Sequence, residues 1–249
     1  MQIIIEAFSE ARFFKENGEY RQRQCMESDA WGKAYSSDAN GYALFVADSF
    51  ATSSDSDFSF NARNVSADIV NKAKDIVDPS KLRYCQPATL KMYLADAMGL
   101  LDAEVEKVNK EAGTGSNRRA MVLTEMGVAY VQPGRAYFTG AGHPYIAVCR
   151  KDSLRRVPFV KTRLLGGGKG SGPEPSVLSA KLEDGDTIVL ATDGVLSEIE
   201  GKPDQYDEFF DNLTSDADPA RKKDDIRDLL KELWPIDDFT MVLCQYRRS

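Results

Sequence analysis

Strand-like runs fill most of this chain, and helical periodicity breaks them in only two blocks. That order constrains the fold more than composition does. Residues 3–8 read as a first strand, and 31–35 with 42–47 read as a strand pair around a turn at 37–41. The Ser/Asp-rich stretch 52–59 (TSSDSDFS) predicts an exposed loop. From Asn61, the residues Ala62, Val65, Ile69, Ala73 and Ile76 recur at three- and four-residue spacing until Asp78-Pro79 ends the pattern. A longer stripe follows Pro87, with Leu90, Leu94, Ala97, Met98, Leu101, Val105 and Val108 on one face. Short strands are then expected at 120–124, 128–132, 135–139 and 145–150, and after a Gly/Pro/Ser loop at 165–175 again at 177–182 and 187–192. Helices near 204–212 and 220–234 precede a last strand at 239–246. Sequence-adjacent strands pair antiparallel, and helices gathered in blocks cover sheet faces. The expected class is therefore α+β, a two-sheet sandwich with helices outside. No repeat or linker interrupts the order, so residues 1–249 are expected to form one domain.

The net charge of −7 argues against general binding to nucleic acid or to an acidic membrane surface. No apolar run approaches membrane-spanning length. The start, MQIIIEAFSEARFF, is interrupted by Glu6, Glu10 and Arg12 and is not patterned as a signal peptide. Cys25, Cys85, Cys149 and Cys244 form no CxxC pair, which predicts reduced thiols and a cytoplasmic location. A single histidine, His143, argues against a histidine-rich zinc site. Set in GAGHPY, it reads as a turn residue of a hairpin.

Aspartates mark the ends of the apolar runs. In IVLATDGVL, residues 188–196, an Asp-Gly follows a run that reads as a buried strand, where an uncompensated carboxylate is costly. The Asp-Gly in LEDGDT, residues 182–187, lies among acidic residues and reads as an ordinary exposed turn. Asp48 likewise follows ALFVA, Asp237 precedes FTMVLCQY within IDDFTMVL, and Asp29 precedes AWGKA. Any one of these aspartates is more often a turn former or cap than a ligand. Together, strand ends that converge at one edge of a sandwich would gather carboxylates, and these repel unless a cation neutralises them. Oxygen-rich, sulfur-free ligation favours magnesium or manganese.

The motifs and their order resemble the metal-dependent protein phosphatases, the PPM or type 2C family. LEDGDTIVLATDGV is similar to the family's Gly-Asp, apolar strand and Asp-Gly segment, and DDFTMVLC to its terminal Asp-Asn-x-Thr strand. GYALFVADS resembles the segment that carries the first Asp-Gly, with Ser49 in the glycine's place. GTGSNRRAMVL, KTRLLGG and FTGAGHPYIAVCRKDSLRRV resemble central segments, the last in the form of bacterial stress-response and sporulation members. The resemblance implies a four-layer αββα sandwich of two mainly antiparallel sheets around a centre of two ions, Mn2+ or Mg2+. It further implies that Asp48 bridges the ions, that Ser49 contributes a backbone carbonyl, and that Asp193 and Asp237 complete one ligand set. Asp29 would orient the attacking water, and Arg23, or else Arg21, would hold the substrate phosphate. The implied activity is hydrolysis of phosphoserine and phosphothreonine in proteins by a monomer. A catalytically impaired member of the same fold, acting as a binding or regulatory protein, is the alternative, because serines stand at 28 and 49. GGGKGSG at 166–172 lacks the Gly-Lys-Ser/Thr ending of a nucleotide loop and is expected to be a flexible flap.

Overall fold

In a computed structural model, the structure describes all residues except 17–18, 23–27, 39, 52–55, 83–84, 113–120, 152, 158–161, 168–171, 198, 200–201, 234–236 and 249. Of 13–16, 19–22, 51, 56–64 and 112 it describes the backbone alone. In chain order the first elements are β1 (Gln2–Glu10), β2 (Phe13–Glu16), β3 (Glu19–Gln22), β4 (Asp29–Ser36), β5 (Gly41–Ala51), α1 (Ser56–Ile76), α2 (Pro79–Leu82) and α3 (Pro87–Ala112). There follow β6 (Val122–Gln132), β7 (Arg135–Ala141), β8 (Tyr145–Arg150), β9 (Ser153–Arg156), β10 (Leu178–Lys181) and β11 (Thr187–Ala191). The last are α4 (Asp193–Ser197), α5 (Pro203–Thr214), α6 (Pro219–Glu232) and β12 (Phe239–Arg247).

Two five-stranded sheets form, in the orders β1-β12-β11-β8-β9 and β10-β7-β6-β5-β4, and β2 pairs with β3 in a separate ribbon. Every pairing is antiparallel. Alternation along the strands sorts the core into three apolar layers. Phe45, Ala47, Val128 and Tyr130 face α1 and α3, whose stripe of Val65, Ile69, Ala73, Leu90, Leu94, Met98 and Leu101 covers them. Leu44, Val46, Ala129, Ile188, Leu190 and Val242 fill the space between the sheets. Val189, Met241 and Leu243 face Phe209, Leu213, Ile226 and Leu230 of α5 and α6. The αββα sandwich is thus the expected one. Helix α6 starts where its sequence dictates: Pro219 takes the first position and the Asp218 side chain accepts the Arg221 N–H. No helix among the described residues is long and apolar enough to cross a membrane. Cys85, Cys149 and Cys244 are free thiols, and Cys25 lies outside the described residues.

Several local expectations are corrected. Helix α1 begins at Ser56, inside the stretch expected to be a loop. The two strands expected at 120–124 and 128–132 are one strand, β6. Gly127 allows a close approach there: a Cβ on it would stand 3.1 Å from Val46 Cγ2 and 3.2 Å from Pro144 Cβ. The LEDGDT turn is exposed only at its tip. Asp186 is fully buried and accepts Arg150 Nε (2.9 Å), Arg150 Nη2 (3.0 Å) and the Glu183 N–H (2.7 Å). The described base of the expected flap is pinned to α3, since Asp102 accepts Arg163 Nη1 at 2.7 Å and the Gly166 N–H at 2.8 Å. Residues 168–171 lie outside the described residues.

Candidate functional site

The sheets bring strand ends from distant parts of the chain to one end of the inter-sheet space. Asp29 on β4 is the cross-strand partner of Asp48 on β5, and Asp48 in turn is the partner of Glu125 on β6. These residues share a face with Trp31, Val46 and Ala129, which point at the opposite sheet. On that opposite sheet Thr192, Asp238 and Thr240 continue the inward rows of Leu190 and Val242. The sheets are stitched there by a buried relay. Thr192 Oγ1 donates to Asp29 Oδ2 at 2.7 Å and accepts the Thr240 N–H at 3.0 Å.

Asp193-Gly194 opens α4 directly after β11. A Cβ on Gly194 would lie 2.1 Å from the Asp238 carbonyl oxygen, so only glycine lets the two aspartate motifs press together. This explains the Asp-Gly pair by close approach rather than by a turn. Asp193, at the mouth of the buried strand, is itself exposed. Asp29 and Asp48 are buried, each 7% exposed.

Electrostatics join these side chains. Burial pushes the Asp48 carboxyl up to about 7; the charges of Asp193 and Asp237 add to this, and hydrogen bonding to Ser28 and Asp29 partly offsets it. Asp29 is raised well above the usual carboxylate range by burial and then by Asp48; its bond from Thr192 lowers it, and Asp238 and Asp237 raise it further. Asp237 is raised by burial and by Asp193, against the Asp238 N–H that donates to its Oδ1 at 2.9 Å. Asp48 Oδ1 is buried and meets no hydrogen-bond partner, a costly state for a carboxylate oxygen unless a cation satisfies it. The donors are all hard oxygens, which suits Mg2+ or Mn2+. The carboxylates share one field without closing into a cage: among the described residues no three Asp, Glu, His or Cys side chains are placed to hold one ion.

Ser49 points the other way. Its Oγ lies 2.8 Å from Thr124 Oγ1 and accepts Ser66 Oγ of α1 at 2.7 Å. Only its backbone carbonyl remains for a ligand, and it needs no left-handed conformation, since Asn40 is the one described non-glycine residue with positive φ. Arg23 lies outside the described residues, as does the side chain of Arg21. His143 is exposed, and its N–H donates to Glu125 Oε2 at 2.6 Å, in keeping with a turn residue.

Two acidic residues escaped the sequence reading. Asp238, 2% exposed, accepts the Arg12 N–H at 2.9 Å on Oδ1, and on Oδ2 the Ser28 N–H at 3.0 Å and Ser28 Oγ at 3.3 Å. It thereby ties the entry of β4 to the start of β12. Its signal is the doubled Asp in IDDFTMVL, whose first member alone reads as a ligand. Glu125 had no signal of its own, because only the register sets it opposite Asp48.

The sequence model of the family described as Stage II sporulation protein E (SpoIIE) matches residues 84–247. No curated protein matches the chain. Among solved structures, a serine/threonine phosphatase of S. agalactiae superposes with a TM-score of 0.73 at 13% identity, covering 99% of this chain and 100% of that one. The serine/threonine phosphatase Stp1 of Staphylococcus aureus gives 0.73 at 13% identity, covering 100% and 96%. The catalytic domain of the serine/threonine protein phosphatase PstP, in complex with two manganese ions, gives 0.64 at 15% identity, covering 99% of both chains. The chain therefore has the fold of bacterial serine/threonine phosphatases, as its motifs implied.

Proposed function

The chain belongs to the Stage II sporulation protein E family, and from that premise we propose that it is a metal-dependent serine/threonine protein phosphatase. The observation that carries this reading is Asp48: buried, with Oδ1 unpartnered, and lying in the field of Asp193 and Asp237. Asp48, the Ser49 carbonyl, Asp193 and Asp237 would hold two divalent cations, Mn2+ or Mg2+. That manganese occupies a structural neighbour of the same fold supports the cation class. When bound, the ions supply Lewis acidity, which activates water near neutral pH and offsets charge on the phosphoryl oxygens. Asp29, fixed by Thr192 Oγ1, orients the attacking water. Arg23 or Arg21 holds the phosphate through charge-assisted hydrogen bonds.

A thiol nucleophile is not needed. Burial pushes both Cys149 and Cys244 up to about 12, so neither supplies thiolate at neutral pH. The substrate is a phosphoserine or phosphothreonine protein, and the protein works as a single-domain monomer in the cytoplasm. One observation favours a second reading, a non-catalytic binding member of the same fold: the described carboxylates do not close into a cage. Turnover of an aryl phosphate with manganese separates the two. Phosphatase activity is expected, and Asp193→Asn abolishes it while circular dichroism stays native. Absence of turnover at high protein concentration supports the binding reading, and unchanged turnover in the variant removes Asp193 from the chemistry.

A further inference from the structure

The layer between the first sheet and its helices changes character at the end far from the aspartates. Ala147, Val189 and Leu243 pack against α5 and α6. Two residues further along each strand, the same face carries Cys149, Thr187 and Gln245, with Thr187 the cross-strand partner of both others. All three are buried, and Thr187 Oγ1 meets no hydrogen-bond partner. Against this polar row stands Lys222, only 4% exposed. It lies one turn before Ile226, on the stripe that α6 otherwise fills with apolar residues. Lys222 Nζ donates to the Leu213 carbonyl in the last turn of α5 at 2.9 Å, which uses one of an ammonium's three donors.

These residues line a cleft of about 240 Å³. Two cations on its rim are matched by carboxylates: Arg150 by Asp186 and Glu183, and Lys151 by Asp216. Asp184, also on the rim, accepts the Arg248 N–H at 2.7 Å. Lys222 and Arg247 instead bond to neutral oxygens, the Leu213 carbonyl and, at 3.1 Å, Gln245 Oε1. Both line the cleft. Burial holds the Lys222 amine below its ordinary value; Cys149 and Asp216 oppose this, and the charge of Arg247 adds to it. Asp216 is itself paired with Lys151 at 2.8 Å, and a buried ammonium beside a guanidinium is costly without a further anion.

We propose that this cleft binds a small oxyanion, the phosphate or carboxylate group of a small molecule, through Lys222 and Arg247. It is too small for a peptide. Thr187 and Gln245 lie six and eight residues from Asp193 and Asp237 along β11 and β12, roughly 20 Å or more at strand rise, so the ligand does not compete with a substrate at the aspartates. The proposal stands independently of the phosphatase reading.

Amide NMR on the metal-free protein tests it, with inorganic phosphate in one titration and citrate in the other, at constant ionic strength. Saturable shifts are expected at Gly185, Thr187, Lys222 and Gln245. Saturation by phosphate alone assigns a phosphoryl ligand, and saturation by citrate alone a carboxylate. Lys222→Met and Arg247→Gln should each weaken binding by at least about tenfold, the scale of one lost charge-assisted hydrogen bond. Lys222 also caps α5, so Arg247→Gln, which leaves that cap intact, decides the matter if Lys222→Met unfolds. The proposal is overturned by no saturable shift at these residues in either titration, by shifts confined to the surroundings of Asp48, or by unchanged affinity in Arg247→Gln.

Discussion

The sharpest consequence of the aspartate cluster is a stability that falls with rising pH when divalent cations are removed. Asp48 titrates at about 7 in the fold instead of the ordinary 3.8. A carboxyl whose pKa is raised by folding holds its proton more tightly in the native state than in the unfolded chain. Its effect on stability is nil below the unfolded pKa, and stability is lost progressively as pH climbs through the folded one. A rise of about 3 units corresponds to about 4 kcal/mol over the whole window, of which about 2 kcal/mol falls between pH 5 and pH 7. Asp29 and Asp237 are raised as well and act in the same direction. Urea unfolding in EDTA, followed by circular dichroism at pH 5 and pH 8, should therefore show a loss of at least about 3 kcal/mol at the higher pH. Asp48→Asn should flatten most of that slope and exceed the parent in stability at pH 8. Saturating manganese should restore the parent at pH 8. A stability that stays level or rises from pH 5 to pH 8 in EDTA, or an equal slope in Asp48→Asn, refutes the reasoning.

Two further substitutions probe the supports of the site. Arg163→Met leaves the Asp102 carboxylate, 6% exposed, without its ion-pair partner, and urea unfolding should register about 3–5 kcal/mol of destabilisation. Thr192→Val keeps the shape but removes both the donor to Asp29 Oδ2 and the acceptor of the Thr240 N–H. It should cost about 2–4 kcal/mol in the same assay and lower manganese-dependent turnover by displacing Asp29.

The layers of the fold were legible because three- and four-residue stripes survive intact into α1, α3 and α6. The strand-end aspartates were legible because residue type and position are both in the chain. What failed was whatever depends on a neighbour distant in sequence. Gly127 reads as a break, yet it is a contact point for Val46 and Pro144 within a continuous strand. Gly194 reads as half of a turn, yet it exists to admit the Asp238 carbonyl. The first residues of α1 are polar and read as loop, but the helix anchored by Val65, Ile69 and Ala73 extends back through them. Lys222 stands among charged residues in its helix, and only its place one turn before Ile226 puts it on the buried stripe. Ser49 reads as a weakened ligand, while its hydroxyl is occupied with Ser66 and Thr124.

Direct titration with manganese, read by calorimetry at neutral pH on the parent chain and on Asp48→Asn, tests most directly whether the aspartates serve a cation. Saturable binding of roughly two ions by the parent, lost in the variant, is the predicted result. Equal binding by both proteins, or none by the parent, contradicts it.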